Sequence, residues 1–358
     1  MIRNVMAKQF SMKKALCSIF MVSMLLGDWC LGQSGGGAVF TFLDLSAPAR
    51  VAALGGNIIS TRTDDIVLFT QNPALLNPEM DQQLSMSFVG YVSGIRYGNV
   101  LVAKDAARFG TFGFNMQYIS YGEFKQTSET SEEIGTFRAG EYAFNLAWSK
   151  TLDSTLFIGT NLKYITSSLG ENTSNGIAAD FGLSWVSRDK NWSAACVVKN
   201  AGRQLRTYQS RIQEDLPFQI QAGISRQLPK APFRFSLTAQ QLQIWDLSYR
   251  DPSLNTIDPL TGEEVTEKNS FLDKALLHLV AGVEVLLSKN FNIRAGYNLL
   301  RRNELAFAER RGLSGMSFGL GFRINRFHCS YAYGLLNTAG GSNHFTVTTS
   351  MHDFKRRK

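Results

Sequence analysis

Apolar and polar residues alternate along much of this chain with a period of two. Phe291, Ile293, Ala295, Tyr297 and Leu299 fall on one face, with Asn292, Arg294, Gly296 and Asn298 on the other. Phe112, Phe114, Met116 and Tyr118 oppose Gly113, Asn115 and Gln117. Tyr142, Phe144, Leu146 and Trp148 oppose Ala143, Asn145, Ala147 and Ser149, and Met316, Phe318, Leu320 and Phe322 oppose Ser317, Gly319, Gly321 and Arg323. Successive side chains of a strand point to opposite sides, so each segment predicts a strand with one apolar and one polar face. Read this way, the chain carries fourteen strands, near 84–92, 95–104, 110–120, 139–151, 155–168, 175–187, 191–199, 217–228, 232–242, 275–288, 291–300, 314–324, 327–336 and 342–351.

Alternation alone suits a soluble sandwich or a membrane barrel. Three features favour the barrel. The strands are roughly nine to twelve residues long, as a tilted span requires. Many end in Tyr, Trp or Phe, where an aromatic girdle lies. The connections also alternate: those after even-numbered strands are short (105–109, 153–154, 188–190, 229–231, 289–290, 325–326), and those after odd-numbered strands are mostly long, the longest being 243–274. The expected fold is all-β, a transmembrane antiparallel β-barrel of about fourteen strands over 84–351. Short turns mark the periplasmic side, which puts both termini in the periplasm and the chain in the bacterial outer membrane.

Composition agrees. Charged residues are only 18%, Gly is high at 31 and Pro low at 8. The N-terminus runs from Lys13 and Lys14 into an apolar core, Ala15 to Leu26, then to Cys30 and Gly32 at −3 and −1 of a cut before Gln33. Residues 1–32 therefore read as a secretory signal, with Met1 or Met12 as the start, and are too short in apolar length to span a bilayer. The formal charge of +8 falls to +5 without them. That balance is too scattered for nucleic acid; the one basic block closes the tail at 352–358. Cys196 and Cys329 sit on apolar strand faces and read as unpaired, lipid-facing thiols.

Residues 33–83 lack strand alternation. Gly55, Gly56, Asn72, Pro73, Ala74, Asn77 and Pro78 mark turns, with Asn-Pro pairs that start short helices, and the segment is expected to plug the lumen as a hatch. Lys163, Glu284, Arg294 and Arg323 are lumen-facing by alternation and are expected to pair with other lumen charges. Loop 243–274 carries Trp245, Leu247, Tyr249, Leu254, Ile257 and Phe271, which either dock a partner or fold over the mouth. No catalytic residue, metal site or cofactor is expected. Ser187-Arg188-Asp189-Lys190 has Ser-x-x-Lys spacing, but the companion Lys-Thr-Gly and Ser-Asp-Asn elements of penicillin-interacting enzymes are missing.

The chain resembles the PorQ family of the type IX secretion system of Bacteroidetes. The resemblance rests on Arg50-Val51-Ala52-Ala53-Leu54-Gly55-Gly56, Asn72-Pro73-Ala74-Leu75-Leu76-Asn77-Pro78-Glu79-Met80 and Gly110-Thr111-Phe112-Gly113-Phe114. It continues through Gly140-Glu141-Tyr142, Lys199-Asn200-Ala201-Gly202-Arg203-Gln204-Leu205, Pro232-Phe233-Arg234-Phe235-Ser236-Leu237 and Trp245-Asp246-Leu247. It implies a barrel similar to PorV and, more remotely, to FadL-type transporters, with fourteen strands and a hatch. It implies partners: a PorZ-like surface protein that binds lipopolysaccharide, a PorU-like sortase and a PorV-like barrel in one attachment complex. The implied role is non-enzymatic, an outer-membrane anchor for the surface partner. The alternative is a FadL-like transporter of hydrophobic small molecules.

Overall fold

The structure is a computed structural model and describes residues 38–91, 94–128, 132–208, 213–248, 256–257, 264–265, 270–305, 313–337 and 340–355. The expected signal, 1–32, lies outside them. Fourteen antiparallel strands close into one barrel. They are β1 Gln83–Gly90, β2 Arg96–Asp105, β3 Thr111–Thr127, β4 Glu133–Asp153, β5 Leu156–Leu169, β6 Asn172–Val186 and β7 Trp192–Arg206, then β8 Gln219–Gln227, β9 Phe233–Ala239, β10 Leu279–Val285, β11 Phe291–Asn298, β12 Met316–Ile324, β13 Phe327–Asn337 and β14 Gly340–Ser350. Each pairs with its neighbours in the chain, and β1 closes the ring on β14 with Gln83 opposite Ser350. Closure leaves no open edge, so every strand's backbone groups find partners without water. No described helix is long and apolar enough to cross a membrane.

The wall is inside out relative to a soluble protein. Met86, Phe88, Phe114, Phe144, Leu146, Leu162, Phe181 and Phe318 are exposed, while Ser85, Ser87, Asn99, Asn115, Asn145, Asn161 and Ser317 are buried. An apolar outer face of this size needs lipid against it. Along β4 the outward residues Tyr142, Phe144, Leu146, Trp148 and Leu152 cover roughly 34 Å of strand, about 25 Å of depth at a ~40° tilt, which matches an outer-membrane apolar band. Phe109, Trp185, Trp192, Phe233, Phe291 and Phe327 ring the short-turn end. Tyr142, Tyr164, Tyr331 and Phe345 ring the other. Cys196 and Cys329 are free thiols on outward positions of β7 and β13.

Strand ends depart from the sequence expectation. β3 runs to Thr127, β4 starts at Glu133, β7 runs to Arg206 and β13 to Asn337. Parts of the expected long connections after β3, β7 and β13 are therefore extended strand. In the β3–β4 hairpin beyond Ser120, residues 123–127 and 133–138 are exposed on both faces. Clear of the membrane, neither face needs to be apolar, so the alternation that reveals a strand disappears while its hydrogen bonds continue. Connections that do stay long are 207–218, 240–278 and 299–315. The expected strand over 275–288 also changes: α2, Phe271–Leu277, comes first, closed by a Ser270–Asp273 capping box, and β10 is short.

Residues 38–82 fold inside the barrel. They form α1 (Ala49–Ala53) and four 3-10 turns, Thr41–Asp44, Ile66–Thr70, Pro73–Leu75 and Pro78–Met80. Val51, Leu54, Ile58, Ile66, Leu68, Leu75 and Met80 are buried. The segment spans the whole lumen. Ala38 bridges to Asp215 in the connection after β7, and at the opposite end Gln82 leads into β1, its backbone bonded to Ala103 and Met351. Wall glycines make room for it. A Cβ at Gly159 would meet Pro73, at Gly176 Phe40 (2.7 Å), at Gly223 Ile59 (2.9 Å), at Gly319 Ala53 (2.6 Å), and at Gly296 the backbone of Leu54 and Gly55. The hatch thus touches β5, β6, β8, β11 and β12 at glycine.

Gly296→Ala therefore forces either the hatch or the strand to shift, at a cost of about 1–3 kcal/mol. Gly90→Ala, with open space around its Cβ, leaves stability unchanged. The midpoint of heat-modifiable migration in detergent should fall for the first and stay for the second.

Candidate functional site

The hatch is held by an ion network that barrel register builds. Glu284 on β10 sits opposite Arg234 of β9 and Arg294 of β11. Because paired positions share a face, all three point inward. Glu284 Oε2 accepts from Arg234 Nη1 at 2.9 Å and Oε1 from Arg294 Nε at 3.0 Å. From the hatch, Arg50 reaches the same carboxylate with two bonds, Nε to Oε1 and Nη2 to Oε2, both 2.9 Å. Its Nη1 then binds Asp65 Oδ2 at 3.0 Å. A two-pronged guanidinium fixes direction as well as distance, so this pair sets the rotation of α1 in the lumen. Burial alone would push the Asp65 carboxyl up, yet the Arg50 guanidinium beside it holds it below the usual carboxylate range.

A second polar cluster lies between the hatch and β5–β7. Lys163 Nζ pairs with Asp180 Oδ2 at 2.9 Å and donates to Asn200 Oδ1 at 2.6 Å. Asn200, in a left-handed turn of the backbone (φ 57°), also donates to Asp44 of the hatch at 3.2 Å. Burial pushes the Asp44 carboxyl up to about 6, against the pull of Lys199 and Lys163. A cavity of about 30 Å³ opens beside it, lined by Asn99, Asn115, Asn145 and Asn161. Each of these leaves an amide atom without a protein partner.

Of the four expected lumen charges, Lys163, Glu284 and Arg294 are buried, each within an ion pair. Arg323 differs in burial. It has the inward parity, but it lies one residue before the end of β12 next to the Asn325–Arg326 turn, where the barrel opens, and is exposed. Arg50, Asp65, Asp180 and Arg234 are the partners that sequence reasoning missed. Arg50 stands in a hatch motif but in no periodic segment.

The hatch-motif residues have structural jobs. Gly55 and Gly56 take positive φ (88° and 91°) to end α1. The Gly55 N–H donates to Ser317 Oγ on β12 at 3.1 Å. Asn72 caps the turn of Pro73 and Ala74: its Oδ1 accepts from Ala74 N at 2.9 Å and its Nδ2 donates to Ile59 O at 3.0 Å. Asn77 repeats the device ahead of Pro78, accepting from Glu79 N at 3.0 Å.

The candidate docking loop is partly described. Trp245 packs on Phe271 with ring centroids 4.9 Å apart, and both are exposed, as are Leu272 and Leu276 of α2. Leu247 is half-buried. Ile257 lies in a short ribbon, Thr256–Ile257 with Glu264–Val265. Tyr249 and Leu254 lie outside the described residues. In the Ser-x-x-Lys turn, Ser187 Oγ donates to Asp189 and accepts from Trp192 N at 3.0 Å, so that hydroxyl closes a turn. Among the described residues no group of acidic, His and Cys side chains forms a metal site.

No family model and no curated protein matches the sequence, so the PorQ resemblance rests on the motifs quoted above. Solved structures do match. The CymD monoaromatic hydrocarbon channel is 11% identical over 86% of this chain and 98% of its own, with a TM-score of 0.51. The Pseudomonas putida toluene transporter TodX is 13% identical over 85% and 96%, with a TM-score of 0.49, and a Pseudomonas aeruginosa FadL homologue 10% identical over 86% and 98%, also at 0.49. The likeness to CymD shows a shared fold, the closed barrel.

Removing one member of the Glu284 network leaves buried charge without its counterpart. Glu284→Gln strands three guanidiniums on Asp65 alone and should cost about 3–5 kcal/mol. Arg50→Met leaves Glu284 still flanked by two arginines and should cost less. Limited proteolysis in detergent would read both: cleavage within residues 38–82 should speed up in the order wild type, Arg50→Met, Glu284→Gln.

Proposed function

We propose that this chain is a non-enzymatic outer-membrane anchor that holds a surface protein at its mouth and passes no solute through its lumen. The observation that carries this reading is the filled lumen. The hatch meets wall glycines around the ring and is locked by a buried five-residue ion network, so a transit path would have to unseat it. With the lumen closed, the surfaces left for function are the protruding β3–β4 hairpin and the apolar cluster of Trp245, Phe271, Leu272 and Leu276. Both stand at the end opposite the short turns, which this reading takes as the cell exterior. The C-terminal helix α3, His352–Lys355, then lies on the periplasmic side. The PorQ resemblance supplies the partners: a PorZ-like surface protein bound to the barrel, near a PorU-like sortase and a PorV-like barrel, for linking cargo to lipopolysaccharide.

A second reading, a FadL-like transporter of hydrophobic small molecules, is favoured by two observations. The CymD channel shares the fold, and an open pocket with apolar walls lies at the mouth.

Affinity purification from detergent-solubilised outer membrane separates the two. The anchor reading expects a large surface protein and a sortase to co-purify. Recovery of the barrel alone with bound fatty acid sinks it in favour of transport. In planar bilayers the full chain should pass negligible current, and a chain lacking residues 38–82 should conduct. Steady conductance by the full chain also counts against the anchor.

A further inference from the structure

The pocket at the mouth, about 460 Å³, joins apolar walls to a buried acid that neither reading uses. Its walls are apolar: Phe40 of the hatch, Leu169 at the end of β5, and Phe124 and Phe137, which stack across the β3–β4 hairpin with centroids 5.4 Å apart. Its polar groups are acidic or neutral. Glu141 on the inward face of β4 is only 5% exposed, and its Oε2 accepts from Tyr121 Oη at 2.6 Å. Tyr208 donates to Ser167, which leaves its oxygen free to accept. Glu214 lines the rim.

No described Lys or Arg pairs with Glu141. Arg138 and Lys125, the cations of the same hairpin, are taken by Glu123 and Glu133. A buried carboxylate held by one phenol and facing a pocket lacks the counter-charge that buried ions normally have. The surrounding rings add to the preference, because aromatic faces attract cations and repel anions.

We propose that this pocket binds an organic ammonium compound with an apolar body, its charged nitrogen on Glu141 and its body between Phe124, Phe137 and Leu169. The step is non-covalent. It stands apart from the anchor reading, since partner recovery does not depend on it.

The test is calorimetric titration of the full chain in a non-ionic detergent with 2-phenylethylammonium, 2-phenylethanol and 3-phenylpropanoate, which share a body and differ in charge. The ammonium should bind about tenfold or more tighter than the alcohol, and the carboxylate weakest. Glu141→Gln keeps an acceptor for Tyr121 and the fold, checked by heat-modifiable migration, and should bring ammonium and alcohol to equal affinity. Phe124→Ala with Phe137→Ala should weaken both while keeping their ratio. Failure of the ammonium to bind the wild type, or an ammonium preference unchanged in Glu141→Gln, overturns the proposal. Co-purification of a surface protein would be the same in either case.

Discussion

A ring of fourteen strands encloses more space than its own inward side chains can fill. That constraint organises the rest of the molecule. The interior must be occupied by something that touches the wall all round and leaves few polar groups stranded. Residues 38–82 do this, and the wall is cut to receive them. Where backbone meets backbone, as at Gly296 against Leu54 and Gly55 or Gly159 against Pro73, the wall residue has no side chain. Where the hatch presents charge, the wall presents its complement. The apolar turns of the hatch then form the core that the barrel lacks, with Leu54, Ile66, Leu68, Leu75 and Met80 inside a shell of Ser and Asn.

The Arg234–Glu284–Arg294 row shows how register becomes specificity. Three residues on three adjacent strands are placed side by side by hydrogen bonding alone. Without the hatch the row carries two guanidiniums on one carboxylate. The hatch adds another guanidinium at Arg50 and, fifteen positions further along, its own carboxylate at Asp65. A buried ion network of this kind adds little net stability against an apolar core of equal volume, but it admits one orientation. The hatch could slide on grease; it cannot slide on a forked salt bridge with both prongs engaged.

The outward half of this design is plain in the sequence, because lipid demands an apolar residue at every second position. That is why the strand number and the closed all-β class follow from alternation. The strand ends do not follow. Beyond Ser120 and before Ala139 the chain leaves the apolar zone, and exposed Glu, Lys, Gln and Thr carry no period while the ladder persists to Thr127. Helix α2 is hidden because its last residues, Ala275–Leu277, run on into the apolar start of β10, although Ser270 with Asp273 is a readable capping signal. Among the charges, Glu284 and Arg294 could be found by parity. Their partnership with Arg50 could not, since it spans 234 positions and depends on how the hatch folds. Inward glycines were visible throughout as members of the polar face. Their meaning, space reserved for another segment's backbone, became legible only with that segment in place.

The strands also differ in height around the ring, and this bears on where function resides. β3 to β7 are long, with β4 running from Glu133 to Asp153, while β8 to β11 are short, β9 and β10 covering only Phe233–Ala239 and Leu279–Val285. Both sets share the same short-turn end, so the whole excess lies at the mouth. The rim is a slope, high at the β3–β4 hairpin and low where the 240–278 connection and α2 sit. The high side carries an aromatic-faced hairpin with Phe124 and Phe137, the low side an exposed cluster around Trp245 and Phe271, and the pocket opens at the foot of the hairpin. A closed lumen and a sloping rim are two consequences of one arrangement, in which the membrane span is kept to the minimum that lipid requires and the surplus chain is spent outside it.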